Sequence, residues 1–87
     1  MARYFFHVID GLALSDDVGS EHGDLASAKC EAVVYAGRLI CEDAASFWDR
    51  GDWQMNVTDE VGLTLFTLVF AGYDAAATSP PASSRLR

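Results

Sequence analysis

Residues 3–9, RYFFHVI, alternate in two sets. Tyr4, Phe6 and Val8 share one face of an extended segment, and Arg3, Phe5, His7 and Ile9 share the other. Both sets are mainly apolar, which predicts a strand inside a sheet rather than at its rim. Asp10-Gly11 then signals a tight turn, since both residues tolerate φ > 0. Leu12–Ser15 predicts a short returning strand, and a further extended piece is expected around Val18–Glu21. From Leu25 the apolar period changes to that of a helix. Leu25, Ala28, Ala32, Ala36, Leu39, Asp43 and Phe47 form one row, with Val33, Ile40 and Ala44 beside it. Asp24 precedes them as an N-cap, a carboxylate placed to accept from amides of the first turn. The spacing predicts one helix over 25–48, about 36 Å long. Cys30, Val34, Gly37, Cys41, Ala45 and Trp48 make a second row, wider than one sheet covers.

Residues 53–70 predict a hairpin. A four-residue loop, Asp59–Gly62, puts glycine where a positive φ is wanted. That loop pairs Thr58 with Leu63 and gathers Trp53, Met55, Val57, Thr64, Phe66, Leu68 and Phe70 on one face. A three-residue loop would instead match Trp53, Met55 and Val57 with Leu65, Thr67 and Val69. The first arrangement is preferred because it places the aromatic residues together on the helix side. The predicted fold is α+β: a small four-stranded, mainly antiparallel sheet (ββαββ) with one long helix packed across one face. It occupies residues 1–73 as a single domain. Residues 74–87, rich in Ala, Ser and Pro without apolar period, read as a flexible tail.

A fold of that length buries a thin core, and such domains commonly need a staple or a partner. The staple is not a disulfide. Cys30 and Cys41 lie on the predicted helix about 16 Å apart along its axis, beyond the about 7 Å between Cα atoms that a bridge allows. They read as reduced, buried or half-buried helix residues, and the absence of a signal-peptide pattern predicts a cytoplasmic protein. Charge narrows the partners. The chain carries −7, and its first 73 residues hold twelve acids against four bases, a net of −8. A phosphate backbone would be repelled, so no nucleic acid is expected. No apolar run approaches the about 20 residues of a membrane span, so no membrane is expected either.

The chemistry-bearing residues are few. Asp16 and Asp17 are adjacent, Gly19 follows, and Glu21 comes too soon for the alternating ligands of a calcium loop. His7 and His22 have no partner at a diagnostic metal spacing. No serine or cysteine sits in a nucleophile turn, and the glycines do not form a phosphate loop. The sequence therefore predicts no catalytic residue, no metal and no cofactor. The weak candidates for holding a small ligand are His7, Asp10, Asp16, Asp17, Glu21 and His22.

Three blocks in order resemble a family of short bacterial proteins classed as a domain of unknown function. They are Arg3–Val8 with Asp10-Gly11; Asp16 or Asp17, Gly19, Glu21, Asp24-Leu25, Ala28 and Glu31-Ala32; and Val57–Glu60 with Gly62, Leu65, Thr67 and Phe70. The resemblance spans about residues 3–70 and implies no activity or site. Cys30, Val33, Val34 and Tyr35 stand where such proteins carry more charge, so a solvated outer helix face does not carry over. The DG turn and the Asp-Leu before the helix also resemble HicB-type antitoxins, which suggests an acidic inhibitor.

The leading functional expectation is a small non-enzymatic module that self-associates, as a homodimer, or binds a partner protein. Its expected interface is the sheet face the helix leaves bare and the second helix row: Phe5, His7, Ile9, Cys30, Val34, Cys41, Leu63, Leu65 and Val69. The alternatives are an antitoxin-like acidic partner of a basic protein, and a small-molecule or metal binder at His7 and the Asp10–Glu21 loop.

Overall fold

The computed structural model describes residues 2–75. Chain order is β1 (Ala2–Ile9), β2 (Ala13–Leu14), β3 (Ser20–His22), α1 (Leu25–Glu42), α2 (Ala44–Arg50), β4 (Asp52–Thr58) and β5 (Thr64–Ala71). All pairings are antiparallel, in the order β2-β1-β4-β5, with β3 also on β1. The architecture is α+β as expected, but with five strands and two helices in place of four and one. The strand expected around Val18–Glu21 forms as β3, displaced to Ser20–His22. The first strand is central and the last is at the rim. Of the predicted tail, all but Asp74 and Ala75 lies outside the described residues.

The predicted single helix over 25–48 is broken at Asp43, whose φ of −133° and ψ of 47° leave the helical region. The reason is length. The 18 residues of α1 span about 27 Å, close to the about 26 Å of an eight-residue strand. A straight continuation would overrun the sheet. The break turns α2 across the sheet's end, where Phe47 packs against the core and Trp48 lies over Gly72. A Cβ on Gly72 would stand 2.9 Å from the Trp48 ring, so this glycine permits the closure. At the start of α1, Asp24 caps as read from the sequence, its carboxylate accepting from the Ser27 amide at 2.8 Å.

The helix-facing side of the sheet follows the alternation. Tyr4, Phe6 and Val8 from β1 and Trp53, Met55 and Val57 from β4 are buried against Ala28, Ala32 and Ala36 of α1. Phe66, Leu68 and Phe70 of β5 flank them. The preferred face of the hairpin is therefore the observed one, but its pairing is not. Val57 pairs with Phe66 and Thr58 with Thr64, with an irregularity between Val57 and Thr58, where the loop reading paired Thr58 with Leu63. Leu63 instead closes the turn, its carbonyl accepting from the Asp59 amide, while the Asp59 carboxylate accepts from the amides of Val61 and Leu63. The turn is thus three residues, Glu60–Gly62, as in the alternative loop, and the extra residue Leu65 in β5 then returns Phe66, Leu68 and Phe70 to the helix side. Gly62 has the positive φ its position called for, +90°.

Candidate functional site

The segment from Asp10 to His22 runs back along the outer edge of β1. It pairs twice: β2 with Val8 and Ile9, and β3 with Ala2, Arg3 and Tyr4. Phe6 lies between, with no strand opposite its amide. Asp16 fills the gap. Its Oδ2 accepts from the Phe6 N–H at 3.1 Å, and its Oδ1 accepts from the amides of Val18 and Gly19 at 3.0 Å each. Burial alone raises the affinity of the Asp16 carboxyl for its proton. The amides of Gly19, Phe6 and Val18 outweigh that and hold the carboxyl below the ordinary carboxylate range.

His7 completes this arrangement. The Asp16 amide donates to His7 Nδ1 at 3.0 Å, and His7 Nε2 lies 3.0 Å from Thr58 Oγ1. A nitrogen that accepts from an amide carries no hydrogen, so the ring is neutral and its Nε2–H donates to Thr58. The half-buried ring stacks on Phe5 with centroids 6.4 Å apart. His7 thus ties the loop to the end of β4. Its open-face position is as expected, but both nitrogens are taken up within the chain, which removes it from the expected interface as a free polar group. Gly19 lets the loop come this close: its φ is +70°, and a Cβ there would stand 2.8 Å from the Tyr4 carbonyl oxygen.

The other ligand candidates are dispersed. Arg50 Nη1 lies 3.1 Å from Asp10 Oδ1, an ion contact without hydrogen-bond alignment. Glu21 pairs with Arg3 at 3.1 Å. His22 sits between the hydroxyls of Ser20 and Ser27, 3.0 Å from each, with its ring edge-on to Tyr4 and Phe6. Asp17 is exposed. The structure brings His7 and Asp16 together through a main-chain amide, and does not gather the six residues into one ligand set. Among the described residues no three His, Cys, Asp or Glu side chains are grouped to hold a metal ion.

The helix side of the same loop bounds a groove of about 760 Å³ against α1. Phe6, Val8, Leu14, Tyr35, Leu39 and Trp53 line its apolar part. Asp10, Asp16, Asp17, Glu31, Glu42 and Asp43 line the rest, with Arg38 the one cation there. Sequence reasoning missed this groove. Its helix side was legible as the charged positions beside Tyr35 and Leu39, but the loop that makes the opposite wall has no periodicity.

The expected interface divides into parts. Phe5, His7 and Ile9 of β1 and Val69 of β5 do share the face opposite the helices, whereas Leu65, at the irregularity of β5, packs against the core. They are not one apolar patch. β4 lies between them and presents Gln54, Asn56 and Thr58, with Asn56 Oδ1 accepting from Gln54 Nε2 at 3.0 Å and from Thr67 Oγ1 at 2.9 Å. The polar alternation 54-56-58 was the signal for this ladder. Leu63 belongs to the turn and is exposed. Cys30, Val34 and Cys41 lie on the outer side of α1, where both thiols are free and exposed rather than buried. A Cβ on Gly37 would meet nothing within 4 Å, so no close backbone approach within the described chain accounts for that glycine.

The chain is thus a small helix-on-sheet α+β domain with a loop-sealed edge and no helix, among those described, long and apolar enough to cross a membrane. A family described as Domain of unknown function (DUF6894) matches residues 3–71, and the chain belongs to that family. No curated protein and no solved structure matches it.

Proposed function

We propose that this protein is a non-enzymatic interaction module that works by self-association. One observation carries the reading. The fold leaves large aliphatic side chains outside at several places, Leu63 and Val69 beside β5, Val33 and Val34 on α1, Leu12, Leu14 and Val18 beside β1 and Val61 in the turn, all more than half exposed. Exposed apolar surface on a domain with so thin a core is surface that another chain covers. Sedimentation equilibrium of the purified chain is the test. A mass above 9.4 kDa that rises with concentration supports the reading, and a monomer at tens of micromolar overturns it.

The groove favours a second reading, an acidic partner of a basic protein. Six carboxylates stand around an aromatic and aliphatic floor with Arg38 as the one cation in the lining. Of those acids, only Asp10 forms an ion pair among the described residues. Binding of an arginine-rich peptide that weakens with salt, and weakens further in Glu31→Gln/Glu42→Gln, supports this reading. Equal binding by that double variant counts against it.

A further inference from the structure

We infer that self-association runs through the free edge of β5, as an antiparallel pairing with β5 of a second copy centred on Thr67. This rests on the self-association reading and goes on to name the surface and its register.

The direction of the main-chain groups follows from one hydrogen bond. The Phe6 amide points to Asp16, away from β4. Along a strand these groups alternate, so those of Phe5, His7 and Ile9 turn to β4 and meet Thr58, Asn56 and Gln54. The groups of Trp53, Met55 and Val57 then turn to β5, where their partners are Phe70, Leu68 and Phe66. The N–H and C=O groups of Thr67 and Val69 are therefore on the outer edge, beyond the irregularity at Leu65. Among the described residues no strand pairs there.

Natural edge strands are commonly blunted by lysine, proline, a bulge or shortness. β5 has eight residues, TLFTLVFA, without charge or proline, and its one irregularity lies at its start. This is also where a second copy can approach. A copy of this chain brings −7 to meet −7, and β5 is a surface where two copies meet without opposing carboxylates. The outer side of α1 has Glu31, Arg38 and Glu42 beside its apolar row. The open sheet face has its polar ladder through the middle.

Self-pairing must keep helix-side residues beside helix-side residues, since the two-fold axis stands perpendicular to the sheet. Centring on Thr67 does so. It sets Phe66 against Leu68 of the other copy twice on the helix side and brings Val69 beside the irregularity at Leu65. Thr67 meets itself, with its Cα atoms about 5.5 Å apart as a hydrogen-bonded pair. Centring on Leu68 also preserves the faces but sets Val69 against Thr67, a poorer match. The result is one continuous sheet with both α1 helices on the same side.

Sedimentation velocity on three proteins tests the surface. The wild type is expected at twice the 9.4 kDa chain mass. Val69→Lys is expected as a folded monomer, since Val69 is 66% exposed and lysine there meets little within the chain. Val34→Lys is expected to remain dimeric. In a Cys30→Ser/Cys41→Ser background, Thr67→Cys is expected to oxidise to a covalent dimer, its Cα separation lying within disulfide range. The amides of Thr67 and Val69 are expected to exchange slowly with solvent in the wild type, and that of Thr67 rapidly in Val69→Lys. A wild-type dimer that survives Val69→Lys and dissociates in Val34→Lys overturns the edge while leaving self-association standing. A wild-type monomer overturns both, including one whose edge amides are protected by residues 76–87. A dimer lost in Val69→Lys but not cross-linked through Thr67→Cys overturns the register.

Discussion

Along β1 the outer edge meets a two-residue strand, a loop and a three-residue strand; along β5 it meets nothing among the described residues. Both strands have eight residues, so the difference lies in what the sequence places beside them. Beside β1 it places Asp16, which supplies a carboxylate where a ladder carbonyl is missing. It also places Gly19, which lets the chain pass near the Tyr4 carbonyl. Beside β5 the hairpin turn closes on itself through Asp59 and sends nothing back along the strand. One edge is completed within the chain by side-chain chemistry. The other, among the described residues, has no strand paired to its outer side.

Removing the plug is the strongest way to erase this contrast. Asp16→Ala takes away the acceptor of three amides and leaves that of Phe6 unpaired, a loss expected to reach about 3 kcal/mol in denaturant unfolding. The effect depends on ionisation. The folded carboxyl is held below its ordinary value, so the stability it contributes is full above about pH 4 and is lost as pH falls through the lower folded value. The difference between wild type and Asp16→Asn is expected to shrink below that pH. A constant difference down to pH 2 would refute the assignment.

The glycines sharpen the comparison. Gly19→Ala combines a positive φ with a main-chain clash and is expected to cost about 2 kcal/mol. His7→Phe keeps the ring stacked on Phe5 but leaves the Asp16 amide and the Thr58 hydroxyl unpaired, at about 1.5 kcal/mol. Gly62→Ala, at the β5 turn, has open space around its new methyl group and retains only the conformational penalty, about 1 kcal/mol. Thermal or denaturant midpoints in this order support an edge on β1 that is fitted more closely than the turn feeding β5. Reversal of the two glycines would contradict it.

The repeating parts of this arrangement were legible in the sequence. The alanine row of α1, the Asp24 cap, the two faces of β1, the Asp10-Gly11 turn and the helix side of β5 all follow from period and local chemistry. What was not legible depends on where the chain returns. His7 was read as part of a bare face because its partners, an amide nine residues on and a hydroxyl 51 residues on, come together only in the fold. The helix break at Asp43 is imposed by the length of the sheet beneath, and nothing between Leu25 and Trp48 announces it. The hairpin register combines the two readings, a three-residue turn closed by Asp59 and Leu63 and then an extra residue, Leu65, that restores the aromatic face. The polar ladder at Gln54, Asn56 and Thr58 was visible, and its consequence was that the bare face could not be a single apolar interface.

The fully inaccessible positions of α1 are all alanines, Ala28, Ala32 and Ala36, with Tyr35, Leu39 and Ile40 packing at their flanks. The two layers therefore divide their tasks: the strands provide the bulk, and the helix provides nearness. A family built this way can drift in two manners. Positions 4, 6, 8, 53, 55 and 57 can exchange volume with one another while keeping their sum. The three alanine positions have a ceiling, because any larger side chain there lifts the whole helix instead of filling a gap. Sequence variation in such a lineage should collect in the sheet and stop at those three residues.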